Sequence, residues 1–311
     1  MCRHFCPAAI TGDIMLGGFG DKRIRVRLFA IADSEPYLAP VEERERAFVG
    51  YIRNLIRILE QSPIGRMLVR SAMLHQVSVG LDPLLEPHAS FFYPGQNHFD
   101  LGYQPDLLQK SEKGVSRYLV SFIGALRRAW HHHGGRGPDV ALRPEDFLRL
   151  CRFEEADIEA VTHLIAWELR SGGASFLWRH LLSGANGDIS VVFERAIESN
   201  PKKQFDGEAL KAAFNQWFAE RERINGCDHF ALEMFDMALI QQDAGSRVGT
   251  APLRQGMIEG IGMLPNGQNY LLDCPFTSGW YDGLEDEFNR AHLRHIKQDI
   301  SRLLTPPVVR R

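Results

Sequence analysis

The stretch SEKGVSRYLVSFIGALRRAWHHH, residues 111–133, decides how this sequence is expected to fold. Its apolar side chains recur every three or four residues, which predicts one long amphipathic helix; they are Val115, Leu119, Phe122, Ile123, Leu126 and Trp130. Gly134-Gly135-Arg136-Gly137-Pro138 follows and should end the helix. Because the apolar face of this helix must be covered, the flanking sequence is expected to supply the elements that pack against it.

Two short aromatic segments before this helix predict a small β-hairpin. Residues 89–93 and 98–103 are separated by Pro94-Gly95-Gln96-Asn97, a sequence typical of a turn. Helical spacing recurs elsewhere, over residues 42–60, from Ser62-Pro63 onward, in a short segment from Pro144, and over residues 153–170, 174–182, 189–198, 207–223, 228–241 and 284–304. We therefore expect a mainly α-helical fold with a small β part, of the α+β class.

Composition limits the classes of protein that this chain can be. The 311 residues are 44% hydrophobic and 24% charged, which is typical of a folded globular chain. A formal net charge of -3 argues against a protein that coats nucleic acid, and no apolar run reaches the roughly 18 residues of a membrane helix. The five cysteines are odd in number and mostly far apart, which favours reduced thiols and a cytoplasmic location. We expect no nucleic-acid or membrane partner.

The chain is expected to have three parts. Residues 1–40 form an N-terminal extension with one strand at Ile24–Phe29, where apolar and basic residues alternate. Residues 41–242 form the central helical domain. Residues 243–311 form a C-terminal extension that is rich in Gly and Pro and contains a final helix.

A small β element, a long helix and a second helix with acidic residues is the layout of zinc peptidases. Their chemistry needs two imidazoles one helical turn apart, a carboxylate beside the first to accept a proton, and a third metal ligand from a later helix. Active members therefore carry His-Glu-x-x-His on the long helix. This sequence contains no such motif.

The sequence nevertheless resembles a bacterial putative metallopeptidase domain family over about residues 50–242. Five segments carry the resemblance: Phe91-Phe92-Tyr93-Pro94, Leu126-Arg127-Arg128-Ala129-Trp130, Glu154-Glu155-Ala156-Asp157, Ala166-Trp167-Glu168-Leu169 and Phe214-Asn215-Gln216-Trp217-Phe218. In that family the long helix typically reads His-Glu-Leu-Arg-His-Ala-Trp. The resemblance implies a zincin-like domain for the central part of the chain.

The family motif also shows where this chain departs from it. The motif places Gly124 at the first metal-binding His, Ala125 at the general-base Glu and Arg128 at the second His. These side chains cannot bind zinc or activate its water, so the resemblance implies that zinc and peptidase activity have been lost. The later helix keeps Glu155 and Asp157. We expect one of them to pair with Arg128, whose fixed charge would replace that of the ion; ordinary solvated helix charges are the alternative.

Three functions are compatible with this pattern. We prefer a pseudoenzyme without a cofactor, which binds a peptide or protein, or regulates one, through the old cleft. In this interpretation His98 and Tyr103 of the hairpin would face the ligand, although His98 and Asp100 could also be a polar pair on a solvated strand. A structural or phage-associated protein with a filled cleft is a further possibility.

The remaining alternative is an active metal-dependent hydrolase whose zinc ligands have been relocated. The side chains available for such a site are His131, His132, Asp157 and His163. Ser-His-Asp and Cys-His catalysis also stay open, although the chain has no Gly-x-Ser-x-Gly sequence.

Overall fold

The computed structural model describes residues 25–28, 43–86, 89–102, 111–240, 248–272 and 283–304. Its strands are β1 (Arg25–Arg27), β2 (Ser78–Asp82), β3 (Ser90–Tyr93) and β4 (His98–Gly102). Its helices are α1 (Glu43–Leu59), α2 (Pro63–Leu74), α3 (Glu112–His133), α4 (Pro144–Ser171), α5 (Phe176–Leu182), α6 (Gly187–Ser199), α7 (Lys203–Asp206), α8 (Glu208–Trp217), α9 (Arg221–Ile240), α10 (Gln255–Ile261) and α11 (Glu287–Leu304). The predicted mainly α-helical fold with a small β part is confirmed.

The strands form one four-stranded sheet in the order β1-β2-β4-β3. β3 and β4 are antiparallel neighbours, as expected for the hairpin, and Phe91 lies opposite Asp100. A 3₁₀ turn at Pro94–Gln96 and Asn97, whose φ is 50°, connect them. β2 runs parallel to β4, with Ser78 opposite His98. The amino-terminal ends of these two strands therefore lie side by side at one end of the sheet.

Strand β2 is where the sequence-based expectation was wrong. The segment was expected only to end the preceding helical hairpin near Leu81, but four of its five residues are buried in the sheet. A short run such as Val77-Ser78-Val79 carries little periodicity, and its partner β4 is distant in sequence. Long-range pairing therefore decides the conformation of this segment.

The helices differ from expectation mainly at their boundaries. α4 is one continuous helix from Pro144, where a short helix and a separate one from residue 153 were expected. Residues 218–220 separate α8 from α9, so the expected helix over 207–223 is divided. α10 lies in a region for which no helix was predicted.

Helices α3 and α4 pack against each other near the centre of the molecule. The hydroxyl of Ser111 accepts a hydrogen bond from Gly114 N at 3.2 Å and caps α3. Pro144 opens α4, where its fixed φ suits the first turn. These local signals fix where both helices begin, and their apolar faces belong to one continuous core.

The C-terminal part of the chain contributes to that same core. Its buried side chains are Val248, Ile258, Ile261, Leu264, Tyr270, Leu271, Ile296 and Ile300. Residues assigned to an extension therefore pack with the central helices. Within the described ranges, none of the helices combines the length and apolar character that crossing a lipid bilayer requires.

Candidate functional site

The side chain of Arg128 lies over Gly124, one turn earlier on α3. A Cβ atom built on Gly124 would lie 3.4 Å from Arg128 Nη1 and 3.5 Å from Ile158 Cγ2 of α4. These are ordinary van der Waals distances, so the guanidinium of Arg128 lies directly beside the position of a side chain at residue 124. The first two motif positions, Gly124 and Ala125, are themselves buried between the helices.

Arg128 forms an ion pair with Glu155 of α4. Its Nη2 donates a hydrogen bond to Glu155 Oε1, and the two side chains are 15% and 23% exposed. Burial lowers the pKa of Arg128, but the charges of Glu155 and Glu154 more than offset this, so the pKa is raised. These residues are therefore partly buried partners rather than solvated helix charges.

Asp157 has a different partner, the neighbouring Arg127. Arg127 Nε lies 2.7 Å from Asp157 Oδ2 and Arg127 Nη2 lies 2.9 Å from Oδ1, and both side chains are 0% exposed. Tyr270 donates its hydroxyl to the same Oδ1 at 2.8 Å. Arg127 Nη2 also donates to the carbonyls of Ile261 and Met263, both at 2.9 Å. The two retained acids thus belong to separate ion pairs within the same turn of α4.

His131 joins the Asp157 ion pair from the next turn of α3. Its Nδ1 is hydrogen-bonded to Glu154 Oε1 at 3.1 Å, and its Nε2 lies 3.1 Å from Asp157 Oδ2. Burial and the charge of Arg127 lower the pKa of His131, but Asp157 and Glu154 outweigh both and raise it. Burial would raise the pKa of Asp157, yet the charges of Arg127 and His131 lower it to about 2. The interior between α3 and α4 therefore holds charged groups.

Of the four side chains proposed as relocated zinc ligands, His131 and Asp157 are in contact, but His132 and His163 do not join them. His132 is exposed, whereas His131 and Asp157 are fully buried. His163 Nε2 bonds to Ser190 Oγ at 3.0 Å, its Nδ1 lies 2.8 Å from the Glu159 carbonyl, and burial lowers its pKa to about 4. Across the described ranges, no three His, Cys, Asp or Glu side chains form a group that could hold a metal ion. The relocated set is therefore not a site in this structure.

His98 is not exposed to a cleft and is not on a solvated strand. It is 1% exposed, and both ring nitrogens have partners, Ser78 Oγ at 2.7 Å and Asp100 Oδ1 at 2.8 Å. The expected polar pair of His98 and Asp100 is present, but the expected exposure of His98 was wrong because β4 lies between β2 and β3 and is buried along its whole length. Tyr103, the other proposed cleft residue, lies outside the described residues.

A protein-family model described as "Putative metallopeptidase family (DUF6782)" matches residues 31–272. The chain belongs to this family. The match to the putative metallopeptidase family includes helices α1 to α10 and strands β2 to β4, and thus both ion pairs. Comparison with curated proteins and with solved structures finds no match to the chain.

The name of this metallopeptidase family implies a metal ion, and the side chains of Gly124, Ala125 and Arg128 do not fit one. Gly124 and Ala125 end in a hydrogen atom and a methyl group, which offer no electron pair. Arg128 offers a guanidinium that cannot be deprotonated in proteins, that repels a cation and that already contacts Glu155. The donor chemistry at these three positions is therefore incompatible with a bound metal.

Sequence reasoning missed the central role of Arg127 and Tyr270. Arg127 was recognised only as part of the Leu-Arg-Arg-Ala-Trp segment, although a charge on the apolar side of α3 could have indicated a buried ion pair. Tyr270 lies 113 residues from Asp157, and no local pattern connects them.

Proposed function

We propose that this chain is a metallopeptidase-like protein that binds an extended peptide or protein segment and does not cleave it. The single observation that carries this proposal is the Arg128–Glu155 ion pair above Gly124. In the His-Glu-Leu-Arg-His-Ala-Trp motif, Gly124 takes the position of the first metal ligand and Arg128 that of the second. Glu155 is an acidic residue of the later helix. We therefore take the guanidinium of Arg128 to stand in for the metal ion of that motif.

This arrangement supports the loss of hydrolysis on electrostatic grounds. A carboxylate that once faced a metal ion becomes a partly buried charge without a partner when the metal is lost, which is unfavourable. The guanidinium of Arg128 removes that cost for Glu155 through a hydrogen-bonded ion pair. Peptide hydrolysis by this family's chemistry needs an activated water and a general base, and Gly124, Ala125 and Arg128 supply neither.

Strand β3 supports retention of peptide binding. In the described part of the chain β3 pairs with β4 alone, so its other edge presents backbone groups that an added strand can use. Phe91 is half-buried and lies 6.2 Å, between ring centroids, from Phe230 of α9. Phe92 points to the other face, with its ring centroid 5.5 Å from that of His132. Aromatic groups therefore flank the edge where a segment would add.

We also propose that the protein is cytoplasmic, as its cysteines predict. Cys151 and Cys227 are buried free thiols, which agrees with a reducing compartment. The alternative of an active metal hydrolase has less support, because its four ligands do not group together in the described residues.

The test begins with the full-length chain incubated with zinc chloride, desalted and analysed by elemental mass spectrometry. A random 12-residue phage-displayed peptide library then supplies a binding peptide, which is synthesised with a fluorophore and measured by fluorescence polarisation. We expect zinc well below one equivalent, saturable binding and no cleavage of the peptide by mass spectrometry. Stoichiometric zinc with cleavage, or a library that yields no peptide, would overturn the proposal.

Two variants test whether β3 is the docking edge. Phe91→Lys places a charge on the edge strand β3 and should weaken binding by about tenfold or more. Phe205→Lys changes an aromatic residue of similar size that is 75% exposed elsewhere, and should leave affinity unchanged. Backbone N-methylation of the peptide should also weaken binding, because it removes the donors that strand addition needs. Equal affinities in all cases would place the binding surface elsewhere.

A further inference from the structure

Ser78, His98 and Asp100 form a connected row at the amino-terminal ends of β2 and β4. Ser78 Oγ lies 2.7 Å from His98 Nδ1, and His98 Nε2 lies 2.8 Å from Asp100 Oδ1. The parallel register places Ser78 directly opposite His98, and Asp100 is two residues further along the same strand. Residues i and i+2 of a strand share a face, so this row is a direct consequence of the sheet.

The hydrogen bonds give each member of the row a defined role. An ionised carboxylate only accepts, so His98 must donate from Nε2 to Asp100. In the neutral ring Nδ1 is then the acceptor, and Ser78 donates its hydroxyl hydrogen to it. This is the order nucleophile, base and orienting carboxylate that acyl-transfer enzymes use.

The row opens onto a cavity at the Ser78 end. Ser78 is half-buried and is one of the residues that line an open surface pocket of about 400 Å³, whereas His98 and Asp100 are each 1% exposed. The hydroxyl is therefore within reach of a ligand while the base and the carboxylate are shielded from solvent. This pocket is open, so a small molecule can approach it from solvent. Gln76 and Gln96 also line it and carry carboxamide donors of the type that stabilise an oxyanion.

The backbone around this cavity is unusual. The described part of the chain has two non-glycine residues with left-handed φ, Gln76 at 56° and Asn97 at 50°, and both line the cavity. Such conformations cost energy and persist where the surroundings hold them, often at functional sites. Asn97 is held from two sides, because its Nδ2 donates to the His75 carbonyl at 2.6 Å and its Oδ1 lies 2.9 Å from His133 Nε2.

Asp100 is more than a structural crosslink between strands. Among the described residues its Oδ2 is buried without a hydrogen-bond partner, so the carboxylate is engaged through Oδ1 with His98. Buried carboxylates that serve only packing normally have both oxygens satisfied. A buried negative charge aimed at one imidazole instead favours the protonated ring that forms when a nucleophile is deprotonated.

We propose that Ser78 is the nucleophile of a second, metal-free centre that hydrolyses small acyl esters. Ser78 Oγ bonds to the acyl carbon as its proton passes to His98 Nδ1, and the alkoxide leaves as the ester C–O bond breaks and takes that proton. Water then attacks the acyl-enzyme and gives its proton to His98, which returns it to Ser78 Oγ as the carboxylic acid is released. This centre does not depend on the proposed peptide binding.

The test uses a fluorescent fluorophosphonate on the purified full-length chain, followed by peptide mapping. We expect modification of Ser78, no labelling of Ser78→Ala at this peptide, and normal labelling of Ser183→Ala, a matched change at an exposed serine. Hydrolysis of p-nitrophenyl butyrate should fall with Ser78→Ala in the same way. An unmodified Ser78 in the folded wild-type chain would overturn the proposal without any variant.

Two further variants separate a catalytic row from a structural one. Asp100→Asn and His98→Gln should each slow Ser78 labelling by about a hundredfold, because base catalysis is lost or misdirected. Circular dichroism establishes that each variant is folded. Folded variants that label at the wild-type rate would show that the row is only structural.

Discussion

Arg127 and Asp157 form a bidentate ion pair that is completely enclosed between α3 and α4, with N–O distances of 2.7 and 2.9 Å. Tyr270 and the carbonyls of Ile261 and Met263 add three further hydrogen bonds to the pair. A buried pair of this kind is costly to assemble and more costly to break, because the surviving charge has no solvent. It therefore ties the C-terminal segment to the two central helices.

Removing one member of this pair should be severely destabilising. Asp157→Leu leaves the guanidinium of Arg127 buried without a counter-charge, and we expect a loss of about 3–5 kcal/mol in the free energy of unfolding. Urea denaturation followed by circular dichroism measures it. The double variant Arg127→Met with Asp157→Leu is the control and should recover part of the loss. A loss below about 1 kcal/mol for Asp157→Leu would contradict the buried pair.

Arg128→Met should have a smaller effect than Asp157→Leu. Arg128 and Glu155 retain some solvent contact, so part of their interaction is screened, and we expect a loss of about 1–2 kcal/mol. A double-mutant cycle with Glu155→Gln isolates the coupling between the two side chains. Zero coupling would remove the physical basis for treating Arg128 as the substitute for a metal ion.

Asp157 should make stability depend on pH in the acid range. Its pKa is about 2 in the folded chain against an ordinary value of 3.8, so its contribution is complete above the ordinary value and is lost as pH falls through about 2. The shift corresponds to roughly 2 kcal/mol. Urea titrations of wild type and Asp157→Asn at a series of pH values should show this slope in the wild type alone. Parallel curves would mean that another group causes acid unfolding.

Glu159 should have the opposite pH dependence. Burial, together with neighbouring Glu155, raises its pKa to about 7 from an ordinary 4.5, although the hydrogen bond from Asn186 partly opposes this. Its charge therefore costs stability as pH rises from the ordinary value through about 7, by roughly 3 kcal/mol at most. Glu159→Gln should stabilise the chain at about pH 8 and have little effect at about pH 4. Thermal melts at both pH values measure this, and equal shifts would contradict it.

Restoring the family motif should create a zinc site. The triple variant G124H, A125E and R128H supplies two imidazoles one turn apart, removes the guanidinium above position 124 and leaves Glu155 free as a third ligand. We expect about one equivalent of zinc by elemental analysis. The matched control is G124H with A125E in which Arg128 is kept, and it should bind no zinc. A triple variant that folds but binds no zinc would contradict the assignment of Gly124, Ala125 and Arg128 to the motif positions.

The local part of the fold could be predicted from the sequence, and the long-range part could not. The Ser111 cap and the apolar spacing up to Trp130 define α3, and the Pro94–Asn97 turn defines the hairpin. Strand β2 could not be predicted because its conformation depends on pairing with β4. For the same reason the burial of His98 could not be predicted.

In the candidate site, too, the local relationships could be predicted from the sequence and the long-range contacts could not. The motif alignment brought Arg128 and the acids of α4 into consideration together, because helices separated by a short connection tend to pack as neighbours. It could not distinguish which arginine faces Asp157, since Arg127 and Arg128 differ by one position and hence by about 100° around the helix. That choice is made by Ile261, Met263 and Tyr270, which are more than 100 residues away in sequence from the groups they bind.

The hydrogen bonds from Arg127 to Ile261 and Met263 have a consequence for biosynthesis. The ribosome makes α3 and α4 before residues 261–270. Arg127 and Asp157 therefore lack these hydrogen-bond partners until the carbonyls of Ile261 and Met263 and the hydroxyl of Tyr270 have been synthesised. The hydrogen bonds around this ion pair are therefore completed only late in synthesis. A chain that ends before residue 261 would leave Arg127 and Asp157 without these partners and should be less stable than the full chain.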